Sequence, residues 1–165
     1  MNAVVGGASS VTALDSSKKA LASLDENILL NKLDRSLFQT IQGDAVRTMT
    51  ALVSEKKEFD IVICDPPKLA PTRAGLSRAA NKYRQINALA MKLVKPGGLL
   101  LTCTCSAAMT QAVAAAGFES MLFAAAKIAQ RDVAVLRTAG AGPDHPILLS
   151  YPEGRYLTAV LLSVN

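Results

Sequence analysis

The chain has no tryptophan, only 4% aromatic residues, one histidine and three cysteines in 165 residues. Cys64, Cys103 and Cys105 are odd in number and sit in apolar, strand-like runs, which argues against a disulfide framework. They also lack zinc-site spacing, so no metal is expected. A reducing, intracellular setting follows, with the cytoplasm expected and an organelle left open. No apolar run reaches the roughly 18 residues of a membrane span, so no membrane partner is expected. The opening MNAVVGGASS lacks the basic region and cleavage pattern of a secretory leader.

Acids are missing from one long interval. Between Pro66 and Phe118 there is no Asp or Glu, while Lys68, Arg73, Arg78, Lys82, Arg84, Lys92 and Lys95 all fall there. With a net charge of +5, such a one-sign stretch fits a polyanion, RNA or DNA phosphate being the obvious partner. The plainer reading is a solvated helix face balanced by acids elsewhere in space.

Half the residues are apolar and 19% are charged, a composition that supports one core-rich domain. The stretch FDIVICDPPK, from Phe59 to Lys68, organises the rest. Its run from Phe59 to Cys64 is rich in β-branched residues and predicts a central strand buried on both faces. Pro66 and Pro67 cannot donate backbone hydrogen bonds, so the strand ends with Asp65 at its carboxyl rim. That rim is where open α/β sheets bind ligands.

Strands and helices alternate along the whole chain. Strands are predicted at Ser9 to Leu14, Phe38 to Gln42, Leu99 to Cys105, Val133 to Leu136 and Tyr156 to Val164. Helices are predicted at 18–33, with Leu21, Leu24, Ile28 and Leu29 inward, at 45–54 and at 76–94. Pro96-Gly97-Gly98 stops the third, and an Ala-rich helix runs from about Ala107 to Ala129. The alternation predicts a doubly wound, mostly parallel α/β sheet.

Asp15 and Asp44 each end an early strand. There an acid can bind ribose hydroxyls or an adenine amino group, or cap the following helix; Ser16 and Ser17 are further caps. Cys105 ends its strand just before a helix opening at Ser106, a setting that favours thiolate, although most free cysteines are buried packing. Cys103 shares its face one pleat deeper, and Cys64 reads as packing. His145 lies in a Pro-flanked loop suited to a structural hydrogen bond or to proton transfer. Arg155, in the turn YPEGR, is a phosphate contact or a surface turn residue.

Together VTALDSSKKAL, NKLD, GDA, FDIVICDPPK, INALAMKLVKPGGLLLTCTCS, RDV and DHPILLSYPEGRYL resemble the class I S-adenosylmethionine-dependent methyltransferases. The similar branch methylates carbon 5 of cytosine in large-subunit ribosomal RNA. The resemblance spans nearly the whole chain, and DPPK followed by TCTCS and DHP…YPEGRYL is its specific part. It implies a Rossmann-like fold, S-adenosyl-L-methionine as cofactor and ribosomal RNA as partner. Cofactor contacts are implied at Asp15, Ser16, Asp44, Ala45, Asp65 and Pro67. Cys105 and Asp65 are implied as catalytic. The basic stretch and the YPEGR turn supply Lys68, Arg73, Arg78, Lys82, Arg84 and Arg155 as the RNA-binding set. Lys68 stands where amino methylation would show an aromatic, and amino methylation has no use for Cys105, so carbon 5 chemistry is preferred.

In that family a first strand and glycine loop, and an RNA-binding domain, precede the Asp15 strand. This chain begins inside the helix that follows the loop. The expectation is a partial methyltransferase domain over 1–165, its sheet incomplete at the N-terminus. Such a chain would bind cofactor weakly, methylate little and tend to aggregate through open strand edges. The alternative is a truncated, noncatalytic methyltransferase-like RNA-binding protein.

Overall fold

A computed structural model of the chain describes residues 1–69, 76–111, 117–151 and 154–165, with the backbone alone at 76–78. It divides into two compact units, Met1–Thr48 and Met49–Asn165.

The first unit holds α1 (Asn2–Val5), β1 (Val11–Asp15), α2 (Lys18–Leu30), a 3-10 turn (Arg35–Leu37), β2 (Phe38–Gln42) and the start of α3 (Ala45–Ser54). β1 and β2 pair in parallel, Val11 opposite Phe38 and Asp15 opposite Gln42. Parallel neighbours need a crossover, and α2 supplies it while packing on both strands. The Ser17 hydroxyl caps α2 by accepting the Ala20 N–H at 3.2 Å. Ile28 is buried under α2, whereas Leu29, expected on the same stripe, is exposed.

The second unit contains β3 (Phe59–Cys64), α4 (Leu76–Lys92), β4 (Val94–Thr104), α5 (Ala107–Thr110), α6 (Phe118–Ala129), β5 (Val133–Ala139) and β6 (Thr158–Val164). Its four-stranded sheet has the order β3-β4-β6-β5. β3 and β4 are parallel, and β6 runs antiparallel to both its neighbours. The α/β architecture is as expected, but the six described strands form two sheets, a parallel pair and a mixed four-stranded sheet.

One face of the four-stranded sheet is the core. Leu100, Thr102, Thr104, Val160, Leu162 and Val164 are all buried on it, at the alternate positions that a strand's period of two requires. Buried on the helical side are Tyr83, Ala90 and Met91 of α4 and Phe118, Leu122 and Ala125 of α6.

Three expectations fail. β3 is an edge strand rather than a central one buried on both faces: Ile61 and Ile63 are 59% and 65% exposed and only Cys64 is buried. Among the described residues its one strand neighbour is β4, and α4 packs against it. The Ala-rich segment is not one helix. α5 is a single turn, and Gly117, with extended backbone, is the N-cap of α6. Finally, β4 begins at Val94 and runs through Pro96-Gly97-Gly98, with a register irregularity opposite Phe59 and Ile61. Only glycine fits that passage. Gly97 has φ +78°, and a Cβ on Gly98 would lie 2.7 Å from the Asp60 carbonyl oxygen.

Burial pushes the Cys64 thiol up from its ordinary 9.0 to about 12. The folded chain therefore holds this proton more tightly than the unfolded one. The resulting stability is complete below about pH 9 and is lost as the pH rises towards 12. Urea titrations should show the midpoint falling over that window, and Cys64→Ala should flatten the fall. An equally steep fall in the variant would refute the assignment.

Candidate active site

The DPPK turn and the TCTCS strand end belong to neighbouring parallel strands. Cys64 lies opposite Thr102, so the strands carry Asp65 and Cys105 to one carboxyl rim. Asp65 is exposed, as are Pro67 and Lys68, while Cys105 and Cys103 are half-buried. The groups are electrostatic neighbours. The Asp65 and Cys105 charges both help to raise the Cys103 pKa, after burial as the main cause, and both act in the same sense on Tyr83.

Alternation in Thr-Cys-Thr-Cys separates two jobs. Thr102 and Thr104 point into the core, and the thiols of Cys103 and Cys105 lie on the opposite face. The buried threonines are matched by polar groups on α4. Thr102 Oγ1 donates to Asn87 Oδ1 at 2.5 Å, and Asn87 Nδ2 donates to the Tyr83 carbonyl at 2.8 Å. Thr104 Oγ1 donates to Tyr83 Oη at 2.9 Å and accepts the Ser106 N–H at 3.2 Å. These residues lie outside the site residues read from the sequence, where Tyr83 falls simply within the helix predicted at 76–94. The signal was threonine alternating with cysteine in an otherwise apolar strand.

α5, which opens after Ser106, has one turn. The helix expected beyond Cys105 is therefore short: it ends at Thr110, with Gln111 as its C-cap. Beside this rim lies a cleft of about 390 Å³ between the end of β5, the start of β6 and Thr110, with Arg155 in its lining. Its far wall is tied down by Thr110 Oγ1, which donates to the Tyr156 carbonyl at 3.0 Å.

In the first unit, Asp15 and Asp44 both sit exposed at the carboxyl edge of the β1–β2 pair. Each caps a helix start: Asp15 Oδ1 accepts the Ser17 N–H at 2.7 Å, and Asp44 Oδ1 accepts the Arg47 N–H at 2.9 Å. Ser16 and Ala45, beside them, are also exposed.

The basic stretch is divided in space. Lys82 is exposed. Arg84 is half-buried, with Nη1 donating to Asn81 Oδ1 at 3.0 Å and its buried Nε unpaired among the described residues. Lys95 pairs with Asp60 at 2.9 Å where β3 and β4 begin, at the opposite end of the sheet from Asp65. Arg73 lies outside the described residues, as does the side chain of Arg78. Arg155 is exposed. His145 Nδ1 pairs with Asp144 Oδ2 at 3.1 Å in an exposed loop, and that bond holds the Asp144 carboxyl below its usual range. Among the described residues no group of His, Cys, Asp and Glu could hold a metal ion, and no helix is long and apolar enough to cross a membrane.

The sequence profile of the family described as Conserved hypothetical protein 95 matches residues 1–112. The chain belongs to that family. It is also 37% identical over 162 residues to a protein of Pseudoalteromonas atlantica named ribosomal RNA large subunit methyltransferase I, covering 98% of this chain and 40% of that one. A protein of the same name from an Enterobacter species is 36% identical over 157 residues, covering 95% and 39%. The chain thus spans about two fifths of the length of these curated relatives.

Among solved structures, SMU.776, crystallised with SAH, superposes with TM-score 0.78 at 19% identity, over 98% of this chain and 40% of the other. NSun6 from Pyrococcus horikoshii, solved with SFG, gives 0.62 at 18% identity over 93% and 41%. At that identity the likeness concerns the fold: an α/β sheet of the Rossmann-like methyltransferase type.

The Asn87–Thr102 bond is wholly buried, so removing one partner strands the other. Thr102→Val should cost about 1–3 kcal/mol in urea unfolding, the usual penalty for an orphaned buried polar group. A variant as stable as the parent would show that the bond does not hold the strand to α4.

Proposed function

We propose that the protein is an S-adenosylmethionine-dependent RNA methyltransferase acting on carbon 5 of a cytosine in large-subunit ribosomal RNA, with Cys105 as nucleophile. The observation that carries this reading is the convergence of Asp65 and Cys105 on one sheet rim, with Cys105 half-buried rather than sealed in the core. The names of the relatives and the ligands held by proteins of the same fold support it.

The cofactor's nucleoside presents hydroxyl and amino donors, and the residues present suit them. Asp15 and Asp44 offer exposed carboxylates at adjacent strand ends, and Asp15 Oδ2 meets no donor among the described residues. Asp15 with Ser16 is assigned to the ribose, and Asp44 with Ala45 to the adenine. Asp65 and Pro67 are assigned to the reactive end. When bound, S-adenosylmethionine supplies the electrophilic methyl that carbon 5 accepts.

The chain's own residues do the rest. Carbon 5 of cytosine is a poor nucleophile until the Cys105 thiolate adds to carbon 6 and moves electron density onto it. Asp65, near ring nitrogen 3, stabilises that adduct. A base then takes the carbon 5 proton and the thiol leaves. Lys68, Lys82, Arg84 and Arg155, together with Arg73 and Arg78, are assigned to the RNA phosphates.

With cofactor present, RNA carrying 5-fluorocytosine should form a covalent adduct that survives denaturing electrophoresis, because fluorine blocks the final elimination. Cys105→Ala should abolish it and Cys103→Ala should largely spare it. Equal loss in both variants would remove the nucleophile assignment.

Binding to RNA should also weaken steeply with salt. Reversing Lys82 and Arg155 to Glu should shallow the slope of log K against log salt by about 0.7 for each phosphate no longer neutralised, as counterion release requires for single strands. An unchanged slope would make these residues a solvated surface.

A further inference from the structure

We infer that Tyr83 is a positioning residue whose buried hydroxyl locks the turn bearing Asp65 to the strand end bearing Cys105. The inference rests on the proposed roles of those two residues, and it adds a group that sequence motifs do not mark.

Tyr83 lies in the interior of α4 and has no exposed surface. Its ring packs edge-on against Phe118, with centroids 6.0 Å apart and an interplanar angle of 80°. The phenol is thereby held from the side, and its oxygen reaches two separate segments. Thr104 Oγ1 donates to it at 2.9 Å, and the Leu69 N–H donates across a longer 3.5 Å. Leu69 directly follows the Asp65–Lys68 turn, and Thr104 directly precedes Cys105. Thr104 also takes the Ser106 N–H, so the backbone on both sides of Cys105 is tied to the same oxygen through one hydroxyl.

A phenylalanine would fill the same volume and keep the ring contact, so packing alone does not require the oxygen. What the oxygen adds is a fixed relation between the two rim segments. Pro66 and Pro67 bring no N–H of their own to the turn, and the Leu69 N–H just behind it is the donor that reaches Tyr83 Oη. Tyr83 does not act on substrate in this scheme; it acts through the two residues that do.

The test is thiol chemistry on the full chain, without RNA or cofactor. Iodoacetamide labelling of Cys103 and Cys105 is followed separately by mass spectrometry across a pH series, and backbone exchange at Leu69 by deuterium uptake. In Tyr83→Phe the Cys105-to-Cys103 labelling ratio should change about tenfold, its pH profile should shift, and Leu69 should exchange about tenfold faster, the scale expected when one or two hydrogen bonds are removed. Phe118→Leu, which disturbs packing but keeps the hydroxyl, should move neither readout selectively. An unchanged ratio and unchanged Leu69 exchange in Tyr83→Phe would overturn the inference, and so would an equal effect from Phe118→Leu. Because labelling needs neither RNA nor cofactor, a chain that fails to form the fluorocytosine adduct would still report on the lock.

Discussion

The second unit depends on a match of two repeats. Side chains four residues apart on a helix are separated by about 6 Å along its axis, and inward residues two apart on a strand by about 6.6 Å. Tyr83 and Asn87 on α4 are paired in this way with Thr104 and Thr102 on β4. The spacing lets both hydrogen bonds form with the elements antiparallel, as a strand–helix–strand crossover runs. A one-residue slip of β4 would turn Thr102 and Thr104 to the outer face and bring the cysteines into the core. The polar pair thus specifies register where Leu100 and Val160 alone would tolerate alternatives.

Placement of the rim follows from that register. Asp65 and Cys105 arrive together because their strands are parallel neighbours, not because they are near in sequence. The thiol most deeply buried, Cys64, is the one whose proton is held hardest, and it lies on the core side with Thr102. The Cys103 thiol, half-buried on the opposite face, is also raised, by burial first and then by the Asp65 charge. Cys64 and Cys103 thus differ in depth and face, although their residue type is the same.

The division of the basic stretch has a similar origin. Seven basic residues fall in one stretch of sequence without an acid, but the fold carries Lys68 and Lys95 to different ends of the sheet. Lys95 meets Asp60 where β3 and β4 begin, while Lys68 stays on the carboxyl rim. A run of like charge says nothing of what the fold brings opposite it. The same holds for His145, whose partner in the folded chain is the adjacent Asp144.

Local chemistry was legible in the residues themselves. The alternation of strand and helix, the bounds of Phe38–Gln42, Ala45–Ser54 and Phe59–Cys64, and the acids ending three strands all followed from hydrophobic period and from Gly and Pro breakers. So did the placing of Asp65 at a carboxyl rim and of Cys105 at a strand end. These features depend on neighbours within a few positions, which is the range over which periodicity speaks. The exposure of Ile61 and Ile63, the inward turn of two threonines and the lock at Tyr83 did not follow. Each is decided by what packs against a face or bonds across it, and that partner lies far along the chain. Sequence alone determined which side chains could do the chemistry; only tertiary structure decided which of them are covered, which are paired, and which oxygen holds the rim together.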